Sequence, residues 1–361
     1  MNFSSDTSAP AHPNVLAAIA RVNSGTEPSY GNDSVTKRVR LQLAAVFKTE
    51  DFDFWMTASG TASNALALSC FCPPTGAILC HEEAHIERDE RGAPEFFSGG
   101  GKLSLLTGKG AKIEEGALRA ALSAIQPGFV HETPATVLSL TNLTECGLAY
   151  SVDEVRRYAA LAHEYGLRVH LDGARLANAL VKTGATPADM TWKAGVDVLT
   201  LGLTKTGAMG CEIIILFGKA REKWGELQAR AKRSGHMPPK MRFLAAQAEA
   251  MFDGDLWLDL AGRANASATR LAAGLIAQPG VHLAYKPDGN EVFGRAVAIV
   301  SCVHGRPLTK RLPLSKPQWA DASAGCKRTT QPRLKVLDGL LIVDREIVFP
   351  AEKLLVNRYE K

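Results

Sequence analysis

Residues 167–175 read Leu167-Arg-Val-His-Leu-Asp-Gly-Ala-Arg175, and residues 196–207 read Val196-Asp-Val-Leu-Thr-Leu-Gly-Leu-Thr-Lys-Thr-Gly207. Each stretch begins as a short apolar run and ends abruptly in charged or hydroxyl residues, which is typical of a buried parallel strand that meets a binding site. Asp172 and Lys205 both stand at such strand ends. We therefore predict an α/β fold with a mostly parallel sheet and a site at the carboxyl edge of that sheet.

The pair of Asp172 and Lys205 indicates a class of chemistry. In pyridoxal phosphate enzymes a lysine binds the cofactor aldehyde as a Schiff base, and an acid pairs with the protonated pyridine nitrogen. Burial disfavours the charged form of a lysine, which makes Lys205 a usable nucleophile toward an aldehyde. Lys182, on the predicted helix after Arg175, is the nearest alternative, and we expect it to be solvated.

Small polar residues precede an apolar, helix-favouring segment in Thr57-Ala-Ser59-Gly60-Thr61-Ala-Ser63-Asn64. Hydroxyls and a glycine at a helix start direct backbone N–H groups and the positive end of the helix dipole toward an anion, here a phosphate. Ser59, Gly60 and Thr61 are the predicted phosphate ligands, since a plain N-cap would need only one hydroxyl. The spacing matches neither GxGxxG nor a Walker motif, which argues against nucleotide binding.

The pattern His170-x-Asp172-Gly-Ala-Arg175, followed by Thr204-Lys205-x-Gly207, resembles the low-specificity threonine aldolases, a group of fold-type I pyridoxal phosphate enzymes. The resemblance covers roughly residues 1–293, and Met237-Pro-Pro-Lys240 favours the phenylserine aldolase branch. It implies a fold-type I, PLP-dependent transferase-like architecture. Its parts would be an N-terminal segment over the active site (1–14), a large cofactor-binding domain (15–250) and a small α/β domain (255–361). The resemblance also implies a homodimer or homotetramer with shared sites.

The same resemblance implies roles for individual residues. Lys205 would hold the cofactor, Asp172 would pair with the pyridine nitrogen, and His85 would stack on the ring and handle the substrate's hydroxyl proton. Arg230 or Lys232, in a basic cluster after a helix, would bind the phosphate. The implied substrate contacts are Ser5, Tyr30, Glu90, Asn142 and Arg175, with Arg175 taking the substrate carboxylate in a bidentate fork.

Several of these residues also have a purely structural interpretation. Ser5 could cap a turn, and Arg175 could form a local ion pair with Asp172. The basic cluster at 230–233 could simply be solvated. His81 is interpreted as structural.

Two segments depart from the family's pattern. Where family members have Glu-Asn-Thr-His-Asn, this chain has Thr141-Asn142-Leu-Thr144-Glu145, so that Thr144 occupies the histidine position and Glu145 follows it. Ser4 stands where the family's N-terminal segment has an arginine. The first exchange could alter substrate or proton-transfer details.

The composition bounds the class of protein. With 361 residues and 46% hydrophobic content, the chain can form a sizeable core. The N-terminus has no basic start or apolar stretch, and no run approaches the roughly 18 apolar residues of a membrane span, so we expect a cytoplasmic protein. Seven cysteines, odd in number and mostly in apolar runs, suit reduced thiols without a metal site.

The net charge of +5 comes from the C-terminal segment. Residues 295–361 contain 13 Lys and Arg against 6 Asp and Glu, so the preceding part is slightly acidic and nucleic-acid binding is not expected. Residues 303–335 are basic, rich in Pro and Ser, and without a clear period. The family's closing segment, with its second carboxylate-binding arginine, has no match here. Our hypothesis is that the reading frame shifts near Phe293, which would make 294–361 atypical and impair activity.

The sequence thus predicts a PLP-dependent lyase that cleaves threonine or phenylserine to glycine and an aldehyde. Two alternatives stay open. The first is another PLP-dependent lyase or an aminotransferase on the same fold, and the second is a cofactor-binding protein inactivated by its altered C-terminus.

Overall fold

The computed structural model describes residues 5–126, 128–278 and 280–296, together with the backbone of five short strands between residues 300 and 355. Most of the segment 294–361 lies outside the described residues. The reading-frame hypothesis falls on that segment and stays a prediction.

A seven-stranded sheet forms the centre of the molecule. Its strands are β1 Phe52–Thr57, β2 Ala77–His81, β3 Lys102–Leu106, β4 Ala135–Thr141, β5 Arg168–Gly173, β6 Val198–Gly202 and β7 Glu212–Phe217. They lie in the order β1-β7-β6-β5-β4-β2-β3, with parallel pairing from β3 through β6 and with β7 antiparallel to both of its neighbours. The prediction of a mostly parallel sheet is confirmed.

Helices pack against this sheet and against one another. They are α1 Pro13–Arg21, α2 Ser34–Phe47, α3 Gly60–Ser69, α4 His85–Arg88, α5 Ala93–Ser98, α6 Glu115–Ser123, α7 Val152–Glu164, α8 Leu176–Thr183, α9 Pro187–Met190, α10 Trp224–Arg233, α11 Arg242–Phe252 and α12 Leu256–Ile276. α3 contacts β6 and β7, α7 contacts β4 and β5, and α11 packs on α1 and α2. The central strands are consequently covered on both faces, and every residue of β6 and β7 is buried.

Complete burial explains why the central strands read as apolar runs. Each buried leucine or isoleucine contributes about 1.5–3 kcal/mol relative to an exposed one, so these strands dominate the core. Polar side chains appear where the strands end. Asp172 is the last residue but one of β5, and Lys205 lies in a 3-10 turn, Thr204–Thr206, directly after β6.

The local signals in the sequence agree with the helix ends. α1 begins at Pro13, with the His12 side chain accepting the N–H of Asn14 as its cap. A capping box is present at the start of α7, because Ser151 and Glu154 each accept the other's backbone N–H.

A smaller apolar cluster lies beyond the main core. Ala268, Ala272 and Leu275 of α12 pack with Val292, close to a three-stranded sheet in the order β14-β9-β8. The strands after the main sheet are β8 Val281–Leu283, β9 Phe293–Ala296, β10 Val300–Val303, β11 Arg306–Thr309, β12 Leu334–Leu337, β13 Leu340–Val343 and β14 Leu354–Leu355. In the part of the chain that the structure describes, every helix is too short or too polar to cross a bilayer.

Candidate active site

A cavity of about 220 Å³ lies at the carboxyl edge of the main sheet, where the sequence predicted a site. The residues that line it come from the N-terminal segment, the start of α3, α4, the ends of β4, β5 and β6, and the start of β7. Parallel strands bring their carboxyl ends to one edge, which is why residues distant in the sequence meet there. Of the predicted site residues, the cavity wall includes Ser59, Gly60, Thr61, His85, Glu90, Asp172, Arg175 and Lys205.

Asp172 and Lys205 both line this cavity, as predicted from their strand ends. Asp172 is only 4% exposed, and its two carboxylate oxygens accept the N–H of Ala174 at 2.9 Å and the side-chain amide of Asn64 at 2.9 Å. These bonds fix the orientation of the carboxylate. The alternative lysine, Lys182, pairs with Asp288 at 2.9 Å and does not line the cavity.

A hydrogen-bonded chain joins Asp172 to His85. The buried Asn64 amide nitrogen donates both to Asp172 and to Glu90 Oε1 at 2.8 Å, and the same Glu90 oxygen lies 2.8 Å from His85 Nδ1. The Thr200 hydroxyl donates to the side-chain oxygen Oδ1 of Asn64 at 2.7 Å, which sets the orientation of the Asn64 side-chain amide. Asn64 is not among the site residues predicted from the sequence. The sequence does place this polar residue near the start of an apolar helix, where a buried amide needs hydrogen-bond partners.

Burial opposes protonation of His85, but the hydrogen bond and the charge of Glu90 outweigh it and raise the pKa of the imidazole. Glu90 thus contacts His85 and Asn64. Glu90 therefore holds the histidine in place. Its expected contact with the substrate stays a prediction.

A second histidine lies beneath the site. Burial lowers the pKa of His170 to about 4, so this imidazole is neutral between Ser139 at 2.9 Å and Thr200 at 3.3 Å. It supports Thr200 and is not exposed to the cavity.

The N-terminus of α3 opens onto the cavity. Ser59 is its N-cap residue, yet the serine side chain makes no capping hydrogen bond, in contrast to Ser151 at the start of α7. A Cβ atom placed on Gly60 would meet nothing within 4 Å. Uncapped N–H groups, two hydroxyls and open space at the positive end of a ten-residue helix form a suitable cradle for a phosphate.

Arg175 lies in an ion cluster that the sequence did not predict. Its Nε donates to Asp6 at 2.7 Å, and its Nη2 lies 3.0 Å from Glu291 Oε1, while Asn290 also donates to Asp6. Burial raises the pKa of Asp6, but the charges of Arg175 and Lys205 outweigh it and hold that pKa below its ordinary value. The structural alternative of an Arg175–Asp172 ion pair is therefore wrong. The ion-pair partners of Arg175 are Asp6, in the N-terminal segment, and Glu291, which precedes Val292 of the smaller apolar cluster.

Two further acids line the cavity, Glu145 and Glu212. Burial raises the pKa of each to about 7. Glu145 Oε1 accepts the backbone N–H of His85 at 2.8 Å and the hydroxyl of Thr141 at 3.0 Å. Glu212 Oε2 accepts the N–H of Leu203 at 3.2 Å, just before the turn that carries Lys205.

Five predicted site residues are not part of the cavity wall. Asn142 is fully buried and donates its amide to the carbonyl of Tyr150 at 3.2 Å, so its position does not support the expected substrate contact. The Ser5 hydroxyl accepts the backbone N–H of Thr7 and caps a short 3-10 turn, in agreement with the structural interpretation of this residue. Thr7, two residues on, lines the cavity. The Thr144 hydroxyl, at the family's histidine position, donates to the carbonyl of Gly110.

The other residues outside the cavity wall are Tyr30, Arg230 and Lys232. The Lys232 ammonium lies 4.6 Å from the centre of the half-exposed Tyr30 ring. Arg230 pairs with Glu226 at 2.8 Å and donates to the carbonyl of Phe97 at 2.9 Å. Within this one chain, neither cation of the basic cluster reaches the cavity.

The donor set suits pyridoxal phosphate better than a metal ion. One cavity combines a lysine, a fixed carboxylate and an uncapped helix N-terminus, which match the aldehyde, the pyridine nitrogen and the phosphate of that cofactor. Among the described residues, His, Cys, Asp and Glu nowhere form a group of three that could hold a metal ion.

Known proteins share this fold and these sequence features. A family model described as beta-eliminating lyase matches residues 2–297. The chain is 40% identical to a low specificity L-threonine aldolase of Pseudomonas aeruginosa over 292 residues, and 38% identical to one of Pseudomonas sp. over 291 residues. Each alignment covers 81% of this chain and 83% of the relative.

A solved structure of a threonine aldolase from Leishmania major superposes with a TM-score of 0.76 at 29% identity, covering 81% of this chain and 84% of that one. The likeness confirms the predicted fold-type I architecture. The chain therefore belongs to the beta-eliminating lyase family of PLP-dependent enzymes, among proteins named low specificity L-threonine aldolases.

Proposed function

We propose that this protein is a PLP-dependent aldolase that cleaves a β-hydroxy-α-amino acid, threonine or phenylserine, to glycine and an aldehyde. The observation that carries the proposal is the meeting of Lys205, the fixed carboxylate of Asp172 and the open N-terminus of α3 in one cavity. When bound, pyridoxal 5′-phosphate supplies an aldehyde that binds amines and a ring that accepts an electron pair from the α-carbon.

The chain's own residues hold and orient the reactants. Lys205 is the amine that anchors the cofactor, and Asp172 keeps the pyridine nitrogen protonated, which the ring requires to accept electrons. Ser59, Gly60 and Thr61 bind the phosphate through hydroxyl and N–H groups. His85, held by Glu90, would contact the ring, and a base near His85 would remove the proton of the substrate's β-hydroxyl.

The substrate carboxylate is expected to bind near Arg175. That guanidinium carries two carboxylate partners, Asp6 and Glu291, so a third carboxylate can bind only by sharing or displacing one of them. Asp6 belongs to the N-terminal segment, which the sequence predicted to lie over the active site. We propose that this segment responds to substrate binding.

An oligomer accounts for the residues outside the cavity wall. The Lys232 ammonium lies over the Tyr30 ring, and neither residue is part of this chain's cavity wall. This position supports a role for them, and for Arg230, toward the phosphate of a neighbouring subunit. We propose a homodimer or homotetramer with shared sites. A cytoplasmic location is proposed as well, because reduced cysteines suit that compartment, and Cys70, Cys72, Cys80 and Cys211 are buried thiols.

Absorbance spectroscopy and product analysis test the proposed function. Purified protein with pyridoxal phosphate is expected to show a visible absorbance band that borohydride removes while fixing the cofactor to Lys205. Added threonine and DL-threo-phenylserine are expected to yield glycine with acetaldehyde or benzaldehyde, and the relative rates test the phenylserine preference. Ammonia and a keto acid would instead indicate an eliminating lyase or an aminotransferase. A band without any product would indicate a cofactor-binding protein inactivated by its C-terminal segment.

A further inference from the structure

Glu145 lines the active-site cavity, and one of its two carboxylate oxygens has no hydrogen-bond partner among the described residues. Its Oε1 is held by the backbone N–H of His85 at 2.8 Å and by the hydroxyl of Thr141 at 3.0 Å. Its Oε2 is buried and has no hydrogen-bond partner among the described residues. A buried carboxylate oxygen without a donor is costly, which is tolerated where a ligand supplies the donor.

One ring nitrogen of His85 is held by Glu90. Its Nδ1 lies 2.8 Å from Glu90 Oε1, and the hydrogen bond and charge of Glu90 raise the pKa of the imidazole despite its burial. In its protonated form an imidazole has two N–H donors and no acceptor. A protonated His85 can donate to a developing alkoxide or to the cofactor while Glu145 acts as the base.

We propose that Glu145 is the catalytic base that accepts the proton of the substrate's β-hydroxyl, an assignment that rests on the proposed aldolase function. The hydroxyl O–H bond breaks and its proton binds Oε2 of Glu145. The electron pair of that bond forms the aldehyde carbonyl, the Cα–Cβ bond breaks, and its pair is left on Cα, where the bound cofactor would supply the electron sink. In the direction of synthesis Glu145 returns the proton to the new hydroxyl.

The electrostatics of the site agree with this role. Burial raises the pKa of Glu145 to about 7, with the charge of Asp172 adding to the rise and the N–H groups of His85 and of Glu145 itself opposing it. A general base works best when its pKa lies near the working pH. The titratable and charged groups that share the cavity with it are His85, Glu90, Asp172, Arg175, Lys205 and Glu212.

The decisive variant is Glu145→Gln, which can keep the two hydrogen bonds of Oε1 and removes the basic oxygen. The cleavage rate is expected to fall by roughly 10²–10⁴-fold, the range for loss of a general base. The visible absorbance band and the cofactor-dependent exchange of glycine's α-hydrogen with deuterated water are expected to stay, since neither involves a β-hydroxyl. A purely structural defect would reduce all three. Glu82→Gln, the same change at an exposed carboxylate three residues before His85, is the matched control.

A second measurement needs no cofactor. Infrared difference spectra of the apoprotein across a pH titration are expected to show a carboxylic acid that ionises with a midpoint of about 7 in the wild type and in Glu82→Gln, and that is absent in Glu145→Gln. Subtracting the variant removes the contribution of Glu212, which titrates in the same range.

The possible failures can be told apart. If Glu145→Gln cleaves substrate at the wild-type rate with an unchanged pH profile, the assignment of the base is wrong and the aldolase function stands. If the wild type exchanges the α-hydrogen of glycine but never releases an aldehyde, the proposed function is wrong, and the base assignment is overturned with it.

Discussion

Buried acids at the two edges of the main sheet have opposite pKa shifts: the pKa of Asp197 at the amino edge is lowered, and those of Glu145 and Glu212 at the carboxyl edge are raised. At the amino edge, a cavity of about 520 Å³ lies beside Asp197, just before β6. Asp197 accepts hydrogen bonds from His163 at 2.8 Å, from Arg168 at 3.0 Å and from the N–H of Val169 at 2.8 Å. Burial alone would raise the pKa of Asp197, but these partners outweigh it and hold the pKa below 3.8.

At the carboxyl edge, the smaller cavity of about 220 Å³ contains two acids, Glu145 and Glu212, whose hydrogen bonds come from neutral groups. Glu145 and Glu212 bond N–H and hydroxyl groups, and burial raises the pKa of each to about 7. The comparison teaches that the size of a cavity does not identify the site. Acids saturated by cations stabilise the fold, whereas acids buried with few donors are poised to exchange protons near neutrality.

The largest expected effect comes from removing the lysine of the carboxyl edge. Lys205→Ala is expected to abolish the borohydride-fixed cofactor and to lower the cleavage rate by roughly 10³-fold or more, because the amine that anchors the cofactor is gone. Lys182→Ala is the matched control, since Lys182 pairs with Asp288 outside the cavity. Retention of a borohydride-stable adduct in Lys205→Ala would overturn the assignment of the anchoring residue.

The next effect concerns stability and pH. Folded Glu212 keeps its proton up to about pH 7, whereas an unfolded glutamate loses it near 4.5. Its contribution to the free energy of unfolding is complete below pH 4.5 and is lost as the pH rises toward 7, by on the order of 3 kcal/mol. Urea unfolding of apoprotein from pH 4.5 to 8 should therefore show a shallower decline in Glu212→Gln. An identical decline in wild type and variant would contradict the shifted pKa.

The amino edge should behave in the opposite sense. Because the folded pKa of Asp197 lies below 3.8, its contribution is present at neutral pH and is lost as the pH falls below that value. Asp197→Ala is expected to lower the free energy of unfolding at pH 7 by about 2 kcal/mol and to leave cofactor binding unchanged. Asp153→Ala, at a carboxylate with 76% of its side chain exposed, is the control and should cost less than about 0.5 kcal/mol. A loss of cofactor affinity in Asp197→Ala would refute the division between the two edges.

The smallest effects separate two serines at helix starts. Ser151 caps α7 through its side chain, whereas Ser59 at the start of α3 makes no such bond. Ser151→Ala should lower the free energy of unfolding by about 1 kcal/mol without changing cofactor affinity. Ser59→Ala should leave the stability of the apoprotein unchanged and weaken cofactor binding roughly tenfold, as expected for one hydrogen bond to a charged group. Equal losses of stability in the two variants would mean that Ser59 is an ordinary cap.

The sequence predicted the parts of the fold that depend on local patterns. The predicted strands before Asp172 and Lys205 are β5 and β6, and the helix-favouring segment after Ser59 is α3. Apolar periodicity, capping residues and strand ends are properties of neighbouring residues, and they can be read without a partner. The division into domains at 15–250 and 255–361 stays a prediction.

The parts that the sequence did not predict are contacts between distant residues. Nothing near Asn64 indicates that its amide joins Glu90 to Asp172, and nothing near Asp6 or Glu291 indicates that both pair with Arg175. The resemblance assigned Asn142 to the substrate, whereas its amide bonds the carbonyl of Tyr150. A polar residue in an apolar stretch signals a buried hydrogen bond, but the identity of the other partner depends on the tertiary fold.

The ion cluster at Arg175 has a consequence for how the protein is made. Asp6 precedes Arg175 by 169 positions, and Glu291 follows α12, so the cluster draws on both ends of the described chain. During translation the sheet and Lys205 leave the ribosome well before Glu291 does, and contacts of such long range form late because loop closure costs entropy. The ion cluster around Arg175 is therefore among the last features of the chain to be completed.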